Sequence, residues 1–192
     1  MRAMIFETPD GPDALMVSER PVPEPGPGEV LVKIGAASIN YRDLLIAKGG
    51  YRSRQKQADL VPLSDGAGTV EAVGPGVHAF KAGDRVTACF FLDWPAGTAT
   101  EHAMESDSGR AVDGMLQEYR TIPVSGLVRT PDHLSDAEAL ALVYQLLGAI
   151  NYLGMSEPTL TQMFGEATFE ELCAAYPRQL RALIRSRFAC AG

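Results

Sequence analysis

The side chains best suited to chemistry in this chain are those of Asn40-Tyr41-Arg42-Asp43 and of Tyr51. The Asn40 amide both donates and accepts hydrogen bonds, so it could orient a carbonyl oxygen or a carboxamide. The two tyrosines offer flat faces for a planar ring, with hydroxyls that donate. Asp43 is better suited to bracing Arg42 or a backbone amide than to moving a proton. Alternatively the run only caps a short helix, since asparagine is a good N-cap residue.

Trp94 precedes a run of small and polar residues that extends to His102. Such a loop is typical of a segment that varies with substrate, which makes Trp94 a candidate substrate-binding residue. The alternative is a solvated surface loop that holds a half-buried tryptophan.

Metal-ligating side chains are few and scattered. Cys89, Cys173 and Cys190 are far apart and form no C-x-x-C pair, and nothing places His78 beside His102. A zinc site needs such ligands brought together around one tetrahedral centre. We therefore predict no metal site, and the odd number of separated cysteines fits a reducing compartment.

Composition limits both the size of the fold and its partners. The 192 residues, 46% of them hydrophobic, suit one sizeable core, or one domain with a small appendage. The net charge of -7 argues against a nucleic-acid partner, since phosphate binding needs clustered lysines and arginines. No leader segment and no membrane-spanning apolar window is evident. We expect a cytoplasmic protein with neither nucleic acid nor a membrane as partner.

The character of the chain changes near Ser135. Before that residue, short β-prone runs are separated by Gly, Pro and Asp, a spacing typical of a β-barrel or sandwich. The predicted strands are Arg2–Phe6, Leu15–Glu19, Glu29–Ala36, Gly68–Val73, Arg85–Phe90 and Met115–Pro123. The spacing of Ser135 and Glu138 is that of a capping box and predicts a helix start. We therefore expect an α+β fold with a β domain, residues 1–135, followed by a helical segment, residues 136–192.

The helical segment has an apolar first part and an amphipathic last part. Residues 139–150 are apolar on nearly every face, Thr168 begins a second capping box, and Pro177 could open or kink a last helix. So short a segment cannot form its own core, so we expect it to pack on the β domain or on a second copy, as in a homodimer. Residues 140–188 are faintly similar to the C-terminal dimerisation helices of tetracycline-repressor-type regulators.

Several motifs of the β domain occur together, in order, in one known family. They are Glu29-Val30-Leu31-Val32-Lys33-Ile34, Ser38-Ile39-Asn40-Tyr41-Arg42-Asp43, Pro62-Leu63-Ser64-Asp65-Gly66-Ala67-Gly68, Val73-Gly74-Pro75-Gly76, Gly83-Asp84-Arg85-Val86 and Asp113-Gly114-Met115-Leu116-Gln117-Glu118-Tyr119. Through them, roughly residues 1–138 resemble the zinc-free alcohol dehydrogenases and quinone oxidoreductases of the medium-chain dehydrogenase/reductase superfamily. The resemblance implies a GroES-like β-barrel that forms the substrate side of the enzyme.

The resemblance also implies hydride transfer between NADPH or NADH and a small quinone, enone or alcohol/carbonyl substrate. It implies catalytic roles for Asn40 and Asp43, substrate contacts for Tyr41, Tyr51 and Trp94, and cofactor contacts for Asn40 and Tyr51. Zinc-dependent members carry a Cys and a His-Glu pair where this chain reads Asn40-Tyr41-Arg42-Asp43 and Ser64-Asp65. The expectation is therefore a zinc-independent protein.

A complete enzyme of this kind continues into a doubly wound Rossmann domain that opens with G-x-G-x-x-G. That fingerprint occurs nowhere in the chain, and too few residues follow Glu138 for such a domain. We therefore expect no Rossmann domain, no tight NAD(P)H binding, and weak or no activity without a separate nucleotide-binding subunit. Two functions stay open: an oxidoreductase subunit or fragment, and a non-catalytic ligand-binding or dimerisation module from a fused or truncated gene.

Overall fold

The chain divides into two compact units, Met1–Leu140 and Ala141–Gly192. The computed structural model describes residues 1–8, 11–49, 59–141 and Glu166, so nearly everything that follows concerns the first unit. None of the helices in these ranges has the length and apolar character that crossing a bilayer requires.

The first unit consists of antiparallel strands with short helices between them. In the described ranges these are β1 (Arg2–Phe6), β2 (Leu15–Glu19), β3 (Glu29–Ser38), α1 (Tyr41–Ala47), β4 (Asp65–Val73), β5 (Arg85–Ala88), α2 (Glu101–Met104), β6 (Tyr119–Pro123) and β7 (Leu127–Arg129), with single 3-10 turns at Pro12–Ala14 and Val124–Gly126. Strands β1 and β2 form one sheet, and the others form a second sheet in the order β6-β3-β4-β5-β7. The unit therefore has two sheets and few helices.

Alternation along the strands places one face of the larger sheet in the core. In β6, Arg120 and Ile122 are buried while their neighbours are half-buried, as the period of two requires. Val32 of β3 lies opposite Arg120, and Val30 lies opposite Ile122. The main buried cluster comprises Val30, Val32, Leu63, Val70, Val86, Ala88, Leu92, Met115, Ile122 and Leu127.

Residues 60–63 are held by backbone hydrogen bonds on both sides. The Phe6 amide donates to the Leu60 carbonyl over 2.8 Å, and the Met115 amide donates to the Leu63 carbonyl over 2.9 Å. Leu63 has a φ of 73°, a left-handed conformation that a leucine keeps only where its surroundings impose it. A Cβ on Gly114 would lie 2.1 Å from the Pro62 carbonyl oxygen, so only glycine permits this close approach. This locked segment fixes the start of β4.

The predicted strands differ from the observed ones mainly at their ends. β1 and β2 have the predicted bounds, whereas β3 and β4 extend to Ser38 and back to Asp65, and β5 ends at Ala88. The strand predicted to start at Met115 begins only at Tyr119, because the Met115 and Leu116 amides bond to the Leu63 and Pro62 carbonyls. β7 was not predicted.

The helix predicted to follow Ser135 begins there. The Ser135 backbone amide and hydroxyl donate to the Glu138 carboxylate over 2.8 and 2.7 Å, and residues 136–141 are helical. The Glu138 backbone amide donates in turn to the Ser135 hydroxyl over 3.3 Å, which is the reciprocal capping that the sequence predicted. The rest of the predicted helical segment, including the turns at Thr168 and Pro177, lies outside the described residues except for Glu166, which is helical and exposed. Dimerisation stays a prediction.

Candidate functional site

The predicted loop lies where β3 ends and α1 begins, next to the first residue of β4. Asn40 has an extended backbone and is the N-cap residue of α1. Asp43, three residues into the helix, accepts the Asn40 backbone N–H on Oδ2 over 2.7 Å. This satisfies an amide that would otherwise lack a partner at the helix start. The capping interpretation of this run is therefore correct for the backbone.

The Asn40 side chain has a further partner in the neighbouring strand. Its Nδ2 donates to Oδ2 of Asp65 over 2.6 Å, and the Ser64 hydroxyl donates to the same oxygen over 3.0 Å. Asp65 is only 8% exposed, so water does not compete strongly for these bonds. The Asp65 carboxylate thus fixes the orientation of the Asn40 amide.

Asp43 is a buried carboxyl group close to a second one. Burial raises the pKa of Asp43, the Asn40 amide and Arg42 work against that rise, and the charge of Asp65 adds to it. Within the described residues, Oδ1 of Asp43 accepts no hydrogen bond. A carboxyl in this state holds a proton more readily than an exposed aspartate. In the structure, Asp43 holds the backbone amide of Asn40.

Tyr41 presents its side chain to the surface beside these carboxylates. It is 73% exposed, and the apolar Ile39 and Leu44 near it are 76% and 41% exposed. An exposed phenol ring next to a fixed amide can stack on a planar ligand while the amide donates to a ligand oxygen. Asn40 and Tyr41 are therefore the members of the loop available for binding.

Among the described residues, a series of ring contacts links Trp94 to Arg42 of the loop. Arg42 of α1 lies over the Phe90 ring at 4.7 Å, Phe90 meets Phe91 edge to face at 4.8 Å, and Phe91 meets Trp94 at 5.6 Å. The Trp94 indole N–H donates to the Gly97 carbonyl over 3.0 Å. Trp94 is 38% exposed, so it can offer a ligand its ring face but not its N–H.

Three residues that hold this site, Ser64, Asp65 and Asp107, have no predicted role in it. From the sequence, Ser64-Asp65 is only the replacement of a metal-ligand pair. Asp107 accepts hydrogen bonds from Arg42, while Ser108 accepts another through its carbonyl oxygen. The turn-prone Asp107-Ser108-Gly109 was the only available indication. The predicted Tyr51 lies outside the described residues.

Two grooves of the first unit lie away from these side chains. One, of about 340 Å³, lies between Met4, Val17, Ile34 and Leu116, and the other, of about 590 Å³, between Arg20, Asp113 and Arg120. Neither is lined by Asn40, Tyr41, Asp43 or Trp94. Neither groove therefore belongs to the candidate site.

The donor set at this site does not suit zinc. Across the described ranges, no three His, Cys, Asp or Glu side chains come together as a metal-binding group. Burial raises the pKa of the Cys89 thiol, which disfavours the thiolate that zinc requires. Asn40 and Ser64 are weak ligands for this ion, and among the described residues of the site the only side chains of a zinc-binding type are the Asp43 and Asp65 carboxylates.

The described helix ends also do not suit the phosphates of a dinucleotide. Binding of a pyrophosphate at a helix start needs free amides and a positive end. At the start of α1 the Asp43 carboxylate already occupies that place, and α2 has only four residues with Glu101 in its first turn. Neither of these two helix starts therefore offers free amides in a positive environment to a phosphate group.

Comparison with known proteins agrees with this architecture. The chain belongs to the alcohol dehydrogenase GroES-like domain family, which matches residues 26–132. A zinc-type alcohol dehydrogenase-like protein of Schizosaccharomyces pombe is 42% identical, over 80% of this chain and 44% of that protein. An alcohol dehydrogenase of Geobacillus stearothermophilus is 36% identical, over 72% of this chain and 42% of its own length.

Solved structures show the same likeness. An NAD-dependent alcohol dehydrogenase superposes with a TM-score of 0.67 at 34% identity, over 80% of this chain and 48% of that one. A cobalt- and zinc-bound thermostable alcohol dehydrogenase from Pyrobaculum aerophilum gives a TM-score of 0.57 at 30% identity, over 68% of this chain and 41% of that one. The chain thus spans less than half the length of these relatives.

Proposed function

We propose that the chain is the substrate-side domain of a zinc-independent, NAD(P)H-dependent oxidoreductase that acts on small quinones, enones or alcohol/carbonyl compounds. One observation carries the proposal: the Asn40 amide, fixed by Asp65 at 2.6 Å, stands next to the exposed Tyr41 ring. The family supports an oxidoreductase, and the donor set at Asn40 and Ser64 supports chemistry without zinc.

Each residue of the site has a distinct proposed role. Asn40 donates to the substrate oxygen and orients it, and Asp43 maintains that geometry through the Asn40 backbone. Tyr41, Tyr51 and Trp94 offer faces to the substrate ring, with Asn40 and Tyr51 also next to the cofactor. A nicotinamide cofactor, when bound, supplies the hydride. With donor and acceptor held close, orientation and hydrogen bonding lower the barrier.

The second candidate function is a non-catalytic ligand-binding or dimerisation module. The occupied start of α1 favours it, because a phosphate there would meet the Asp43 carboxylate. In either case we propose a β domain over residues 1–135, a helical segment over residues 136–192 and a cytoplasmic location. The partner would be a second copy of the chain, forming a homodimer, or a separate nucleotide-binding subunit.

A chimera tests the catalytic proposal against the alternative. Residues 1–138 are joined to the remaining C-terminal part of the Geobacillus stearothermophilus alcohol dehydrogenase. After EDTA treatment, oxidation of NADPH and of NADH is followed with 1,4-benzoquinone and 2-cyclohexen-1-one as substrates. We expect turnover that Tyr41→Ala lowers about tenfold, a loss of about 1.4 kcal/mol of transition-state stabilisation. Tyr41→Phe separates the ring from the hydroxyl, and Val17→Ala, an exposed site on β2, is the control.

The same chimera can also refute the proposal. A folded chimera that binds NADPH but reduces neither compound favours the non-catalytic module. Activity that appears only on adding zinc contradicts the zinc-independent chemistry. The 192-residue chain alone should show no tight NADPH binding by calorimetry, and micromolar affinity would contradict that expectation.

A further inference from the structure

We propose that Asp107 is a positioning residue of this site, which locks the first turn of α1 to the segment that carries Trp94. That the site binds a substrate rests on the function proposed above, whereas the lock follows from contacts in the structure. It assigns a role in orienting substrate to a residue far from the loop in sequence.

Asp107 accepts hydrogen bonds from two arginines that come from different segments. Its Oδ2 accepts from Nη2 of Arg42 and, over 2.7 Å, from Nε of Arg110, while Oδ1 accepts from Nη2 of Arg110. The second guanidinium nitrogen of Arg42, Nη1, donates to the Ser108 carbonyl oxygen over 2.9 Å. The Arg42 fork therefore spans two adjacent residues of one turn, a geometry that a lysine could not reproduce.

Burial shields this cluster from solvent. The side chains of Asp107, Arg42 and Arg110 are 4%, 10% and 5% exposed, whereas those of the surface pair Arg2 and Glu118 are 75% and 39% exposed. Solvent screens the surface pair, and such pairs contribute little to stability. Removing the charge of one buried partner instead leaves the other charge uncompensated. The Asp107 charge is therefore needed to keep Arg42 in place.

The position of Arg42 in the chain gives the lock its consequence. Arg42 lies between the exposed Tyr41 and the buried Asp43, so the direction of its side chain sets the rotation of the first turn of α1. Its guanidinium also lies over the Phe90 ring at 4.7 Å, from which edge-to-face contacts lead through Phe91 to Trp94. Asp107 thereby holds both walls of the candidate site, Tyr41 and Trp94, in one arrangement.

Amide hydrogen exchange of the full chain by NMR tests the lock without any ligand. The variant is Asp107→Asn, and the matched control is Asp84→Asn, since Asp84 is also buried and also holds two cations, Lys81 and Arg129. We expect the α1 amides to exchange at least tenfold faster in Asp107→Asn than in the wild type, with the Trp94 indole resonance shifted. In Asp84→Asn both should stay unchanged. Equal α1 exchange in the two variants overturns the proposal.

A second variant and a ligand complete the test. If Asp107→Asn does not fold, Arg42→Lys replaces it, because this variant keeps the positive charge but loses the guanidinium fork. The same faster exchange of the α1 amides is expected in Arg42→Lys. Unchanged α1 exchange in that variant also overturns the proposal. Titration with 2-cyclohexen-1-one should show at least fivefold weaker binding to Asp107→Asn than to Asp84→Asn, and equal binding contradicts a role in orienting substrate. A wild-type chain that does not bind this probe counts against the proposed function, and α1 exchange then decides on Asp107 alone.

Discussion

Replacing Asp65 by alanine should destabilise the first unit by about 3 kcal/mol. The buried carboxylate accepts from the Asn40 amide over 2.6 Å and from the Ser64 hydroxyl over 3.0 Å. A hydrogen bond to a charged group contributes about 1.5–3 kcal/mol, so the two give roughly 3–6 kcal/mol before correction. Carboxylate desolvation and repulsion from Asp43 reduce this figure, and the alanine leaves both donors without their acceptor.

Urea unfolding followed by the fluorescence of Trp94, the single tryptophan of the chain, measures this loss. With an m-value of about 2 kcal/mol/M, the midpoint should fall by about 1.5 M. Asp65→Asn keeps an oxygen acceptor without the charge, so we expect about half the effect. In Asp65→Asn the pKa of Asp43 should also fall, because one cause of its rise is removed. Equal midpoints for wild type and Asp65→Ala would refute the reasoning.

Three further outcomes are expected. The side-chain and backbone hydrogen bonds from Lys81, with help from Arg129, lower the pKa of Asp84 to about 2. Its contribution to stability is therefore present above about pH 4 and lost as the pH falls through about 2. Asp84→Asn should make the urea midpoint less dependent on pH over that window, and an unchanged dependence would contradict this. Burial lowers the pKa of Arg120 to about 10, which corresponds to a cost of about 3 kcal/mol for holding its charge at neutral pH. Arg120→Met removes that cost and also the hydrogen bond to Ser108, so it should stabilise the unit by about 1–2 kcal/mol. Marked destabilisation would contradict this and show that the bond to Ser108 dominates. Neither EDTA nor micromolar zinc should change the melting temperature, and a zinc-dependent rise of several degrees would reveal a metal site.

The parts of the fold that depend on local pattern were predictable. β1 and β2 are short β-prone runs separated by residues rich in Pro, Gly and Asp, so their bounds follow from the sequence. The capping boxes at Asn40 and Ser135 follow from residue types three positions apart. β7 has only three residues, and its pairing with β5 comes from distant parts of the chain. A pattern that short cannot be separated from a loop by periodicity.

The adjacent residues that form the candidate site were predictable, whereas the residues that hold them in place were not. Asn40, Tyr41 and Asp43 are adjacent, so the sequence alone shows that they lie together. Asp65 and Asp107 meet that loop only through long-range packing, which no local pattern encodes. Asp43 was expected to brace Arg42 or a backbone amide, and it accepts the Asn40 backbone N–H. The Arg42 fork binds the Asp107 carboxylate and the Ser108 carbonyl oxygen, two partners that no local pattern indicates.

The most direct measurement is an NMR titration of the isotopically labelled chain with 2-cyclohexen-1-one, comparing wild type with Tyr41→Ala. Shifts should centre on Asn40, Tyr41 and the Trp94 indole, and should disappear in the variant. Shifts confined to the groove between Met4, Val17 and Leu116, or equal shifts in both proteins, would contradict a substrate site at the start of α1.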